Sequence, residues 1–310
     1  MRIVFWGTPQ FADTTLRALL DSDRRVVGVV TQPDRPAGRG RKTRPPPVRA
    51  TAEEAGIPVL QPDKPRGDEF LEALRRLTPE ISVVAAYGHI LRLEVLNLPR
   101  LGSINVHASL LPELRGAAPV NWAIIRGYTE TGVSVMRMVE AMDAGPVILR
   151  APCKIGSEMT AGQLETQLAQ LGAKTLIEAL RLIELDKARE EPQDDEAATY
   201  APKLGPGDAK IEWTRPALEL DRWIRGTDPS PGAWGEVGGL RVQVFQPQVM
   251  PESVAAEPGV VVRADSRAGL EVATGSGTLR IGEVKPAGRR RMKAVEWIRG
   301  RGIEKGVKFC

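Results

Sequence analysis

The sequence predicts two domains of different class: an α/β domain with a mostly parallel sheet and helices on both faces, followed by a small C-terminal β-barrel. Three observations predict this arrangement. Strand-like apolar runs alternate with helical patterns over the first 190 residues, which is typical of βαβ units. A stretch that is first acidic and then rich in Pro and Gly covers residues 190–207, and short strands at close spacing follow it. We therefore expect an α/β domain at 1–189, a linker at 190–207 and a barrel domain at 208–310.

The first domain opens with a buried strand at 3–6 and a helix at 9–20, which ends before a turn-like Asp-Ser-Asp. An amphipathic pattern predicts a second helix at 68–77. Further apolar runs predict strands at 26–31, 81–86, 103–107 and 132–138. A long helix begins at Thr160, because Thr160 and Gln163 fit a capping box and the leucines that follow recur at helical spacing.

The second domain has a different pattern. A short helix is predicted around 217–225 and a last helix around 294–299, after a basic run. Between them, apolar runs separated by Gly and Pro predict strands at 240–245, 260–263, 270–273 and 279–281. Short strands at this close spacing, with Gly and Pro between them, indicate a small β-barrel.

Composition excludes several classes of protein. With 310 residues, 42% of them hydrophobic and 26% charged, the chain resembles an ordinary soluble globular protein. It contains no uncharged apolar run of about 18 residues, so we expect no transmembrane helix. The N-terminus enters a strand without the pattern of a secretory signal, so we expect a cytoplasmic protein. Two cysteines, Cys153 and Cys310, cannot supply a disulfide framework or a four-ligand zinc site.

Charge is unevenly distributed. Residues 1–207 contain 26 basic and 26 acidic residues, whereas residues 208–310 contain 17 basic and 13 acidic ones, so the net charge of +4 lies in the last third. Two basic clusters stand out: Arg35, Arg39, Arg41, Lys42, Arg44 and Arg49, and then Arg289, Arg290, Arg291 and Lys293. Such clusters suit a nucleic-acid backbone better than a small neutral ligand, although a solvated surface would look the same for either cluster alone.

Few residues could carry chemistry. Asn105 and His107 share one face of the strand at 103–107, near its carboxyl end, where ligands of parallel sheets bind. From spacing alone, the pair is either functional or structural. Asp143 precedes a Gly-Pro turn. Its carboxylate either caps this turn or faces His107, where it could accept a proton. His89 fits a solvated loop, and Gly7-Thr8-Pro9 lacks the glycine fingerprint of a nicotinamide dehydrogenase.

Several motifs together resemble the methionyl-tRNA formyltransferase family of folate-dependent enzymes. They are Asn-Val-His-Ala-Ser-Leu-Leu-Pro at 105–112, Arg-Gly-Ala-Ala-Pro at 115–119, Thr-Gln-Pro-Asp-Arg-Pro-Ala-Gly-Arg-Gly at 31–40, Ala-Tyr-Gly-His-Ile-Leu at 86–91 and Lys-Pro-Ala-Gly at 285–288. The resemblance extends from Ile3 to about Lys293. One departure is Asp228, which stands where the family pattern has Asn.

The resemblance implies a Rossmann-like domain with an OB-like barrel, and a reaction. A formyl group passes from 10-formyltetrahydrofolate, the co-substrate, to the α-amino group of methionine on initiator tRNA, without a metal. The implied catalytic residues are Asn105 and His107, which donate to the developing oxyanion, and Asp143, which stabilises the imidazolium and helps remove the amine proton. The implied folate-binding residues are Tyr87, Gly88, Ile90, Leu91, Ser109, Leu110, Leu111 and Pro112. The implied tRNA-binding residues are Arg35, Arg39, Arg41, Lys42, Arg44, Arg289, Arg290, Arg291 and Lys293. The resemblance also favours a monomer.

Other functions stay open at this point. A folate formyltransferase could act on a small amine, such as glycinamide ribonucleotide or an amino sugar, although such an acceptor would not require the basic loop or the second domain. A nucleic-acid-binding protein could use an inert α/β scaffold. Only an enzyme should lose turnover, with its RNA affinity kept, when His107 is replaced.

Overall fold

The computed structural model describes residues 1–37, 42–251, 254–300 and 302–310. Two compact units are present. The first contains Met1–Pro119, Glu130–Lys154 and Glu165–Pro202, and the second contains Val120–Thr129, Ile155–Leu164 and Lys203–Cys310. The predicted domain boundaries at 189 and 208 stay a prediction. None of the helices in the described part of the chain combines the length and hydrophobicity needed to span a bilayer.

Parallel pairing dominates the sheet of the first unit. Its strands are β1 (Arg2–Gly7), β2 (Arg25–Val30), β5 (Val59–Leu60), β6 (Ile81–Ala85), β7 (Ser103–His107), β8 (Glu130–Arg137) and β9 (Val147–Lys154), with a separate hairpin of β3 (Arg35–Ala37) and β4 (Lys42–Arg44). Among the described residues the sheet order is β5-β2-β1-β6-β7-β8-β9. The strands from β5 to β7 are parallel, whereas β8 is antiparallel to both neighbours. Because the chain leaves β1 first to one side and later to the other, β1 and β6 form the switch point where ligands of such sheets bind.

Helices cover both faces of this sheet. They are α1 (Gln10–Leu20), α2 (Pro47–Glu54), α3 (Asp68–Arg76), α4 (Leu93–Leu96) and the larger part of α6 (Ala161–Glu184). A further helix, α5 (Pro119–Ile125), and the start of α6 belong largely to the second unit. On one face, Val4 and Trp6 of β1 pack in a core with Leu71 and Leu74 of α3. On the other face, α6 approaches the strands closely at Gly172, where a Cβ atom would lie 3.0 Å from Val106. The α/β architecture predicted from the sequence is confirmed.

Antiparallel strands build the second unit. They are β10 (Trp234–Val237), β11 (Leu240–Met250), β12 (Val261–Asp265), β13 (Gly269–Ala273), β14 (Thr278–Pro286) and β15 (Met292–Lys293), together with α7 (Ala217–Thr227) and α8 (Ala294–Arg299). The order is β10-β11-β14-β13-β12, with β15 on β14. The last residues of the chain pair with both outer strands: Glu236 exchanges two backbone hydrogen bonds with Cys310, and Val261 donates to Val307. Because neither edge is left bare there, the sheet closes into the predicted small barrel.

Candidate active site

Asn105 and His107 lie on one face of β7, as their spacing predicts. Val84 of β6 and Met136 of β8 flank Asn105 in the sheet. His107 is buried, whereas Asn105 is half-buried. Within the described part of the chain, the side-chain amide of Asn105 has no hydrogen-bond partner. The amide is therefore free to bind a ligand at the carboxyl end of the strand.

The His107 ring is held between two groups. Its Nε2 lies 3.0 Å from the carbonyl oxygen of Leu114. A carbonyl oxygen can only accept a hydrogen bond, so Nε2 carries a proton. Nδ1 faces the carboxylate of Asp143, with 3.7 Å between Nδ1 and Oδ2. This distance is longer than a hydrogen bond but short enough for strong attraction once the ring is charged. Nδ1 is therefore the ring nitrogen that can exchange a proton.

Asp143 lies in the loop between β8 and β9 and adopts a left-handed backbone conformation, with φ of 52°. Asp tolerates this conformation better than most residues. Its Oδ2 accepts a hydrogen bond of 2.8 Å from the backbone N–H of Gly116, and its side chain is 14% exposed. The carboxylate therefore faces His107, and the reading in which it only caps the Gly-Pro turn is not what the structure shows.

The segment from Leu114 to Gly116 contacts both His107 and Asp143 and has an unusual backbone. Leu114 has φ of 57°, which is rare for a bulky residue and is found where the surroundings impose it. Gly116 has φ of 117°, and a Cβ there would lie 2.8 Å from the carbonyl oxygen of Ala201. Only glycine fits this position without displacing the chain that crosses it.

The predicted folate loop near Tyr87 contains both buried and exposed residues. Tyr87 is 2% exposed and packs edge-on against Trp6, and Leu91 is also buried. The Tyr87 hydroxyl is buried without a hydrogen-bond partner among the described residues, and burial raises the pKa of Tyr87 to about 12. Ile90, in contrast, is 76% exposed. With Gly88, Ile90 lines an open cleft of about 540 Å³ whose other lining residues are Asp63, Lys64, Pro65, Arg66, His89 and Arg92.

The predicted folate segment 109–112 makes many internal contacts. The Leu111 N–H donates to the Ser134 hydroxyl at 3.0 Å, and the Leu111 carbonyl accepts from Arg150 at 3.0 Å. Ser109 is fully buried, and Leu111 packs in a small core with Met136 and Val147. Leu110 and Pro112 are half-buried. Leu110 and Pro112 are therefore the members of this segment with surface left for a ligand.

Comparison with known proteins gives full-length matches. A family model described as formyl transferase matches residues 1–180, and one described as formyl transferase, C-terminal domain, matches residues 203–302. A curated methionyl-tRNA formyltransferase of Desulfotalea psychrophila is 48% identical over 303 residues, covering 98% of this chain and 94% of that protein. Another, of Symbiobacterium thermophilum, is 47% identical over 310 residues, covering 100% of this chain and 95% of that protein.

The chain belongs to the formyl transferase family, among the methionyl-tRNA formyltransferases. The family and the formyl-transfer activity predicted from the sequence are thereby confirmed. A solved structure, HypX from Aquifex aeolicus in complex with tetrahydrofolic acid, covers 96% of this chain with a TM-score of 0.65. At 17% identity, and with this chain spanning 46% of that one, this likeness shows the fold alone.

The described residues of the first basic cluster lie in two elements: Arg35, Lys42 and Arg44 on the β3–β4 hairpin, and Arg49 in α2, where it pairs with Asp34 and Glu53. Arg35 and Arg44 are exposed and stand directly opposite each other, and the Lys42 backbone pairs with Ala37. Arg39 and Arg41 lie outside the described residues. Like charges directly opposite each other destabilise a hairpin. A bound anion would reduce this repulsion.

The second basic cluster divides into two kinds of residue. Arg289, Arg290 and Lys293 are exposed. Arg291 instead donates two hydrogen bonds to Asp228, at 2.8 and 3.1 Å, and a third to Glu283. Its guanidinium also lies 3.9 Å from the centre of the Phe245 ring. The guanidinium of Arg291 is thus already bonded within the barrel, and its role in tRNA binding stays a prediction.

Three residues that contact the loops around His107 and Asp143 were not predicted from the sequence: Arg115, Gln193 and Thr199. Arg115 has a side chain only 4% exposed, and it bonds Gln193 and Asp195. Arg115 lies in a motif that carried the family resemblance, which was a usable signal. Gln193 and Thr199 lie in the stretch predicted as a linker, and nothing in their local sequence marks them.

Proposed function

We propose that this formyltransferase moves the formyl group of 10-formyltetrahydrofolate to the α-amino group of methionyl initiator tRNA, giving N-formylmethionyl-tRNA for translation initiation. The observation that carries the proposal is the convergence of Asn105, His107 and Asp143 at the carboxyl end of β7, in a chain whose relatives bear this name. The proposed enzyme is a cytoplasmic monomer.

The three side chains divide the reaction between them. When the amine attacks, a carbon–nitrogen bond forms, negative charge grows on the formyl oxygen, and the bond to the folate nitrogen then breaks. The amide of Asn105, which no described residue bonds, would donate to this oxygen, an interaction worth about 3–4 kcal/mol when well aimed. Nδ1 of His107 would hold the proton that leaves the amine and pass it to the leaving nitrogen. Asp143, at 3.7 Å, would stabilise the charged ring.

The folate would bind at the loop formed by Tyr87, Gly88, Ile90 and Leu91 together with Leu110 and Pro112. Two observations support a fit. The buried hydroxyl of Tyr87 has no hydrogen-bond partner among the described residues, and the cleft beside Gly88 and Ile90 is large enough for part of a folate. Ser109 and Leu111 would support this site without contacting the ligand through their polar groups, since those groups are already bonded within the protein.

The acceptor would be held by phosphate contacts. The opposed Arg35 and Arg44 supply positive charge on the hairpin, and we extend this role to Arg39, Arg41 and Lys42. In the barrel, Arg289, Arg290 and Lys293 are the exposed members of the second cluster. A small amine would not require either cluster, which is why we favour tRNA over glycinamide ribonucleotide or an amino sugar.

The test is formyl transfer from 10-formyltetrahydrofolate to three acceptors: methionyl initiator tRNA, charged elongator tRNA and free methionine. We expect strong preference for the initiator. Transfer to small amines alone would refute the proposed acceptor.

Asn105→Ala, His107→Ala and Asp143→Ala should each lower the rate of the chemical step by about 100-fold or more with tRNA affinity kept. Asn97→Ala, at an exposed asparagine of the same unit, is the control. RNA binding without transfer by the wild type would support a binding protein instead.

A further inference from the structure

Residues 190–202, here called the strap, run along the catalytic loops of the first unit. Val147 and Glu191 exchange two backbone hydrogen bonds, of 2.8 and 2.9 Å. Further on, the Arg115 N–H donates to the Thr199 carbonyl at 2.9 Å, and the Ala201 N–H donates to the Arg115 carbonyl at 2.7 Å. The strap is therefore paired at both ends with segments that lie next to His107 and Asp143.

Gln193 joins the two loops that meet at Asp143. Its Nε2 donates to the carbonyl oxygens of Asp143, at 2.8 Å, and Gly145, at 2.7 Å. Its Oε1 accepts two hydrogen bonds from the guanidinium of Arg115, at 3.0 and 2.9 Å. A neutral amide suits this place because it donates at one end and accepts at the other. A carboxylate of the same shape would keep the contact with Arg115 and lose the contacts with both carbonyls.

Thr199 supports the loop that contacts His107. Its hydroxyl oxygen accepts a hydrogen bond of 2.9 Å from the N–H of Leu114. Leu114 has a positive φ, and its carbonyl is the partner of Nε2 of His107. The hydroxyl therefore helps hold a strained residue in the conformation that directs this carbonyl to the histidine.

The acidic side chains of the strap act differently. Glu190 pairs with Arg137, Glu191 with Arg150 and Asp195 with Arg115. These carboxylates are 38%, 66% and 81% exposed, so solvent screens the pairs and each contributes little to stability. The specific geometry of the site depends instead on the two neutral side chains.

We propose that Gln193 and Thr199 are positioning residues, which fix Asp143 and His107 in the arrangement that the reaction needs. This inference rests on the proposed function, since formyl transfer is its readout. Neither residue touches the reacting atoms. Each acts through a backbone group next to a catalytic side chain, Gln193 through the carbonyl of Asp143 and Thr199 through the N–H of Leu114.

The experiment measures single-turnover transfer from 10-formyltetrahydrofolate to methionyl initiator tRNA by Gln193→Glu and Thr199→Val. We expect kcat to fall by about 10- to 100-fold in each, because a displacement of about 1 Å has that effect, while KM for both substrates stays within about twofold. Thr199→Ser keeps the hydroxyl and should restore most of the rate. Gln170→Glu makes the same chemical change at an exposed position of α6 and should leave the rate unchanged.

A second arm separates positioning from general damage. Placed in the Asp143→Asn background, Gln193→Glu should have little further effect, because the group it positions has already been replaced. Unchanged kcat in both variants, or the same loss in the Asp143→Asn background, would overturn the inference. If both variants are unfolded at the assay temperature, the strap is a folding element and the inference is wrong. No transfer by the wild type would refute the proposed function, whereas transfer by the wild type and by both variants equally refutes the positioning role alone.

Discussion

Replacing Arg291 should cost stability rather than tRNA affinity, although its sequence context predicts tRNA binding. Its guanidinium contacts Asp228, whose side chain is only 6% exposed, and Glu283, at 23%. In Arg291→Gln the carboxylate of Asp228 would stay buried without its cation, and such a loss costs about 3–5 kcal/mol at a fully buried site. Because the Arg291 side chain is 34% exposed, water screens part of this effect, and we expect about 2–3 kcal/mol.

A loss of this size should lower the melting temperature by about 5–10 °C. Calorimetry of the full chain measures it, and filter binding of initiator tRNA at several salt concentrations measures affinity. Arg290→Gln is the matched control, since the side chain of Arg290 is exposed and the charge change is the same. That variant should melt like the wild type and bind tRNA more weakly. Combining Arg291→Gln with Asp228→Asn should recover part of the stability, because the buried carboxylate is then gone and only Glu283, which is 23% exposed, lacks its cation.

The outcome that contradicts this reasoning is also specific. If Arg291→Gln melts with the wild type and weakens tRNA binding as much as Arg290→Gln does, the contacts with Asp228 contribute nothing and Arg291 binds the nucleic acid. If Asp228→Asn fails to recover stability in the double variant, the loss comes from the other two contacts of Arg291, with Glu283 and with the Phe245 ring.

Four other predictions concern individual side chains. Tyr87→Phe should raise the free energy of unfolding by about 1 kcal/mol, because no described residue bonds the buried hydroxyl; weaker folate binding would mean that the ligand supplies a partner. In the wild type this free energy should fall as pH rises from about 10 towards 12, since the unfolded chain loses the Tyr87 proton first, and denaturant titrations of Tyr87→Phe should lack this fall. Gly116→Ala should lower kcat with KM kept, because its Cβ would meet the Ala201 carbonyl; an unchanged rate in a single-turnover assay would show that the Gly116 N–H is dispensable. Replacing Arg35 and Arg44 with Gln should weaken tRNA binding and reduce its salt slope by about one per residue, with folate affinity unchanged; a loss of folate affinity would assign the hairpin to the other substrate.

The fold was predictable from the sequence because its main signals are local. Buried strands and amphipathic helices have a period, and the class of each domain follows from the order of such segments. The antiparallel direction of β8 could not be predicted, because the run of apolar residues is the same in a parallel and in an antiparallel strand. Short elements such as α2 and β5 also have too few residues for a period to show.

The candidate site was predictable where chemistry and period coincide. Asn105 and His107 follow from alternation along β7, and the resemblance to the family placed Asp143 with them. Spacing alone left the role of Asp143 undecided, because its nearness to His107 depends on a loop that reverses between β8 and β9.

The strap shows why the supporting residues could not be found in the same way. Its acidic composition predicts a solvated linker, yet Glu190 and Glu191 pair with arginines 53 and 41 residues away. The hydrogen bonds of Gln193 and Thr199 join residues 78 and 85 positions apart. Each is a single contact between one side chain and one distant group, so it leaves no repeat for a local pattern to show. A sequence pattern can therefore indicate candidates for the reacting groups, whereas the residues that hold those groups in place depend on how distant segments meet.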